Sequence, residues 1–138
     1  MSIRIVTDSS CDLPQEVVDA HGIRVVPLSI RFGDQEFIDR EELSTGEFWA
    51  KCATSSTLPE TAAPAPGQFE RVYRELLAEG ATGVVVVALS GALSATMQSA
   101  ELAARSVADD IPVAVVDSRS VTLGVGTMAI ACARRAAE

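Results

Sequence analysis

The sequence predicts an α/β domain: a mostly parallel sheet flanked by helices. Short apolar runs at residues 3–6, 84–87 and 113–116 alternate with segments of helical period. The last two are continuous in Val, Ile or Ala, as strands buried on both faces of a parallel sheet are. Strands separated by helices of this length require right-handed crossovers, which make neighbouring strands parallel. The 138 residues fit one domain, residues 1–138, and with 48% apolar but only 4% aromatic residues its core must be built from Val, Leu, Ile and Ala.

The first run ends at Thr7-Asp8-Ser9-Ser10, a polar turn at a strand's C-terminal end. Asp12-Leu13-Pro14 then reads as a helix start with Asp12 as N-cap, predicting a short helix over 15–20 that stops near Gly22. Residues 23–32 are apolar with Pro27 in the middle, which predicts two strand pieces broken at the proline. Gly33-Asp34 is a hairpin signal with a return strand over 36–38. Ser44 and Glu47 form a capping box, predicting a helix to about Lys51. Residues 53–67 are dense in Thr, Ser, Pro and Ala without apolar period, so a loop is expected, and a loop of that length is a site candidate. Phe69, Val72, Tyr73, Leu76 and Leu77 keep an amphipathic helical spacing closed by Gly80. Leu93, Met97, Ala100, Ala104 and Val107 predict a second long helix, and a third, of small residues, is expected over 124–138.

Eleven Lys and Arg against nineteen Asp and Glu give a net charge of −8, so a polyanion such as nucleic acid is repelled at long range. No segment approaches the length of apolar chain that spans a bilayer, and the N-terminus reaches Asp8 without a leader-like apolar run. A cytoplasmic protein without stable membrane insertion is expected. Cys11, Cys52 and Cys132 are widely spaced, with His21 the only histidine, so neither zinc nor a disulfide framework is expected. Cys11, in a polar turn, could be partly exposed, and a reduced, unremarkable thiol is the preferred reading.

Three expected strand ends carry hydroxyl-rich turns, at residues 7–10, 90–96 and 117–122, and ligands of such sheets sit outside the carboxyl ends of the strands. Hydroxyls beside helix N-termini favour an anion, and with only Arg119 nearby a carboxylate fits at least as well as a phosphate. Ser90, Ser94 and Ser118 read equally well as ordinary caps and turn formers. Asp8 could serve as an aspartyl-phosphate nucleophile, but a structural Asx turn is the preferred role. Gly124-Val125-Gly126-Thr127-Met128-Ala129 matches a dinucleotide fingerprint formally. It stands too far after its strand, and close helix packing or a tight turn explains its glycines better.

Read together, four motifs resemble the DegV family: Thr7-Asp8-Ser9-Ser10-Cys11-Asp12-Leu13-Pro14, then Thr61-Ala62-Ala63-Pro64, then the turn from Ser90 to Ala100 (SGALSATMQSA), and Asp117-Ser118 with Gly124-Val125-Gly126. The resemblance implies the N-terminal α/β domain of a two-domain protein that encloses one long-chain fatty acid. In bacteria with a fatty acid kinase, such a protein presents the carboxylate to the kinase subunit without being the phosphotransferase itself. No catalytic residue, metal or cofactor is therefore expected. Carried over by position, Thr61 and Ser94 would hold the carboxylate, with Ala95 beside them and Ser9, Ser90, Thr96 and Ser118 as secondary candidates. Ala62-Ala63 replaces the family's Ser-Gln and Ala95 its Gly, which would alter ligand choice or affinity. The family's second domain, absent from this chain, supplies a histidine and much of the acyl tunnel. An isolated half is expected to expose apolar surface and self-associate. The alternatives are an enzyme or enzyme half acting on a small phosphorylated or carboxylated substrate, and a structural remnant without ligand.

Overall fold

β1 (Ile3–Asp8) runs through the middle of a four-stranded parallel sheet, between β2 (Arg24–Val26) and β6 (Gly83–Ala88), with β7 (Val113–Asp117) outside β6. This is a computed structural model, and it describes residues 2–138. Two helices, α1 (Gln15–Ala20) and α5 (Leu123–Ala136), cover one face of the sheet, and α3 (Pro66–Ala78) and α4 (Thr96–Ser106) cover the other. Alternation along the strands explains why both faces are apolar. Val6, Val84 and Val86 point to Phe69, Tyr73, Leu76, Ala100 and Ala103, while Ile5 and Val87 point to Val18, Val125 and Ala129.

Pro27 does break residues 23–32 into two strands, and they belong to different sheets. β3 (Ser29–Phe32) leaves the parallel sheet and pairs antiparallel with β4 (Gln35–Ile38) across the Gly33-Asp34 turn, where Gly33 takes φ 59°. On its other side β3 pairs with β5 (Glu60–Ala62). This small sheet packs Ile30, Phe32 and Phe37 against Phe48 and Cys52 of α2 (Thr45–Thr54). The capping box at its start is present in full: the Ser44 hydroxyl accepts from the Glu47 amide, and the Glu47 carboxylate accepts from the Ser44 amide. Because α2 buries no residue completely, it depends on that cap. Ser44→Ala is expected to cost about 1 kcal/mol, seen as faster amide exchange in the first turn of α2 with the parallel sheet unaffected.

Five expectations are corrected. Residues 53–67 are not all loop, because β5 adds to the edge of β3 by backbone bonds that need no apolar period. β7 is not buried on both faces: α5 lies over β1 and β6, so Ala114 and Val116 of β7 remain exposed. Leu93 stands outside α4, exposed in the preceding turn. Asp12 does not cap α1. It ends a 3-10 turn, Ser9–Cys11, in left-handed backbone (φ 51°), and Pro14 occupies the cap position. Cys11 is fully buried, because α5 packs onto this turn. Gly126 makes the approach close: a Cβ there would lie 2.6 Å from the Cys11 carbonyl oxygen.

Candidate functional site

The chain leaves β1 through α1 on one face to reach β2 on one side. It leaves β6 through α4 on the opposite face to reach β7 on the other side. Strand order therefore reverses between β1 and β6. In an open α/β sheet the crevice at the carboxyl ends of that pair is where a ligand fits. The hydroxyl-rich turns follow β1, β6 and the neighbouring β7 at this same end of the sheet, and hydrogen bonds join them into one rim.

The first turn is organised by Asp8, which is 1% exposed. Its Oδ1 accepts from the Ser10 amide (3.0 Å) and the Ser10 hydroxyl, closing the Asx turn. Its Oδ2 accepts from the Leu89 amide at 2.8 Å, crossing from β1 to the end of β6. Burial pushes the Asp8 carboxyl above its ordinary range, against the opposing pull of the Ser10 and Leu89 donors. Ser9 points elsewhere: its buried hydroxyl accepts from the Leu28 amide (3.0 Å), tying the turn to the chain entering β3.

The second turn, after β6, carries most of the candidate residues. The Ser90 carbonyl accepts from the Leu93 (2.9 Å) and Ser94 (3.2 Å) amides, and its hydroxyl accepts from the Ala92 amide. The hydroxyls of Ser94 and Thr96 are 2.9 Å apart, and the Thr96 amide donates to the Ser94 hydroxyl. Thr96 is buried, Ser94 half-buried, and Ala95 exposed at φ −77°, an ordinary angle for any residue. Ala95 therefore brings no backbone strain.

The third turn is bound to the second. The Ser90 amide donates to the Ser120 carbonyl (2.8 Å), and the Ser118 amide to the Ala88 carbonyl (3.1 Å). Asp117 Oδ1 accepts from Gly91 (3.1 Å) and Arg119 (2.9 Å), and those amides hold its carboxyl below the ordinary range. The Ser118 hydroxyl, on a buried residue, turns inward to the Ser120 carbonyl (3.3 Å).

The fold thus brings Ser90, Ser94, Ala95, Thr96 and Ser118 to one edge. Thr61 lies apart from that hydrogen-bonded rim, on β5 of the small sheet. It is exposed, pairs with Ile30 through the backbone, and shares a shallow hollow of about 130 Å³ with Ser29, Arg31 and Glu36. Among the described residues no hydrogen bond links it to Ser94. Reading by residue type overlooked Asp117 as an anchor of the second turn. The available signal was an Asp at a strand end followed by small turn formers, the pattern by which a carboxylate caps nearby amides. Among the described residues no cluster of His, Cys, Asp and Glu is arranged to hold a metal, and no helix is long and apolar enough to cross a membrane.

The sequence profile of the family described as "Uncharacterised protein, DegV family" matches residues 2–138. A DegV domain-containing protein of Clostridium perfringens is 36% identical over 132 residues, 96% of this chain and 47% of the relative. The solved structure of a fatty acid binding DegV family protein from Thermus thermophilus superposes with a TM-score of 0.87 at 42% identity, over 97% of this chain and 47% of that one. DegV of Bacillus subtilis, a fatty acid binding protein, superposes with a TM-score of 0.90 at 31% identity, with the same coverage. The chain spans just under half the length of these relatives.

Proposed function

The chain belongs to the DegV family, and from that premise we propose that it carries part of the head-group site for a long-chain fatty acid in a non-enzymatic lipid-binding protein. The observation that carries this reading is the rim at the β1/β6 reversal. There the paired Ser94 and Thr96 hydroxyls stand at the start of α4 with no basic side chain hydrogen-bonded to them. Hydroxyls and free amides without strong positive charge suit a carboxylate that must also enter apolar surroundings. Thr61 would contribute a further hydroxyl from β5, and a partner domain would enclose the acyl chain. In a cell with a fatty acid kinase, the protein would present the carboxylate to that enzyme in the cytoplasm. Asp8 is no nucleophile in this reading, since both its oxygens already receive backbone amides.

In the full-length protein, organic extraction followed by mass spectrometry is expected to release a long-chain fatty acid. Ser94→Ala and Thr61→Val should each weaken oleic acid binding about tenfold, the worth of one hydrogen bond to a charged group. A protein that yields no acyl chain and binds no added oleic acid would sink the reading, as would phosphate release that depends on Asp8.

A further inference from the structure

Between Ser90, fastened to Ser120, and Thr96, buried at the start of α4, the second turn is held by the Ala92, Leu93 and Ser94 amides on Ser90, by the Thr96 amide on Ser94, and by one bond at Gly91. The last reaches it from another strand's side chain: the bond from the Gly91 amide to Asp117 Oδ1. The same oxygen takes the Arg119 amide, so one acceptor atom adds a side-chain clamp to the backbone bonds that join the second and third turns. Gly91 suits this approach, because a Cβ on it would already stand 3.3 Å from Asp117 Oδ2.

We propose that Asp117 is a positioning residue for the fatty acid head group: it never touches the ligand, but by holding Gly91 it fixes the turn that presents Ser94. The inference rests on the fatty acid reading above and adds to it a residue that acts through a backbone amide. Since only Oδ1 is used, the geometry requires an acceptor and not a charge. An asparagine, which keeps one carbonyl oxygen, should therefore substitute, whereas alanine should not.

The test compares Asp117→Ala and Asp117→Asn with wild type in the full-length protein, using two probes, oleic acid and oleyl alcohol. The alcohol shares the tail but lacks the carboxylate. Asp117→Ala should weaken oleic acid binding by roughly three- to tenfold, a fraction of one charged hydrogen bond, and leave the alcohol unchanged. Asp117→Asn should bind both probes as wild type does. Amide exchange of the ligand-free protein provides a reading independent of affinity, with Gly91 and Ser94 exchanging faster in the alanine variant and not in the asparagine variant. Equal losses for acid and alcohol would mark a merely structural role and overturn the inference. So would an asparagine variant as poor as alanine, or an alanine variant that binds oleic acid like wild type. Wild-type protein that binds neither probe would instead overturn the fatty acid reading itself.

Discussion

Asp8→Ala should lower the unfolding free energy by about 2–4 kcal/mol, because it strands the buried Leu89 amide and the Ser10 amide together, each worth roughly 1–3 kcal/mol when left without an acceptor. Relief from burying a charge offsets part of that loss. Asp8→Asn retains one acceptor and should lose less. It also isolates the titration. Burial raises the Asp8 carboxyl in the folded state, so the native protein holds that proton more tightly than the unfolded chain does. The corresponding stability is complete below the unfolded value of about 3.9 and is lost as pH rises through the folded value. Asparagine has no such titration. The stability gap between wild type and Asp8→Asn should therefore be widest near pH 3 and shrink with rising pH. Urea unfolding between pH 3 and 7 measures it, and a gap that widens with pH would mean that the amide donors outweigh burial.

The second large effect is at Gly126, where helix propensity and packing predict opposite signs. Gly126 lies inside α5, where alanine is intrinsically better by about 1 kcal/mol. A Cβ, however, would meet the Cys11 carbonyl oxygen at 2.6 Å and the Leu13 side chain at 2.7 Å. Leu13 can turn aside, but the carbonyl is backbone of the turn that Asp8 organises. Overpacking of this kind costs about 1–3 kcal/mol, so Gly126→Ala should destabilise and Gly126→Val should do so further, by pushing α5 off the sheet. Chemical denaturation decides between the two terms: an alanine variant more stable than wild type would show that α5 has room to move.

What could be read in advance followed from local chemistry. Ser44 with Glu47, Gly33-Asp34 and the proline between two apolar runs each act within a few residues, and each produced the element expected of it. The rule that ligands sit at the carboxyl ends of parallel strands likewise brought three distant turns to one edge. Misreadings arose where a partner remote in the chain decides. Four consecutive apolar residues at 113–116 look alike in a central strand and an edge strand, and only the placement of α5 exposes Val116. Cys11 has polar neighbours in sequence but is sealed by Gly126. Residues 60–62 have no pattern of their own, and β3 makes them a strand. The Asx turn at Asp8 was legible locally, but its bond to the Leu89 amide was not, since the two residues are 81 apart.

That separation has a consequence in time. β1 leaves the ribosome before β6 and β7 yet ends in the centre of the sheet, with Thr7 bonded to a carbonyl 80 residues later. At about 5–20 residues per second, β1 waits roughly 4–16 s for β6, with three residues of β2 as its earlier sheet neighbour. Closing so long a loop before the central pair is rewarded makes folding slow relative to a helical bundle of this size. Until then the unpaired backbone edge of β1 and its apolar side chains Ile5 and Val6 are the surface a nascent-chain chaperone would need to cover.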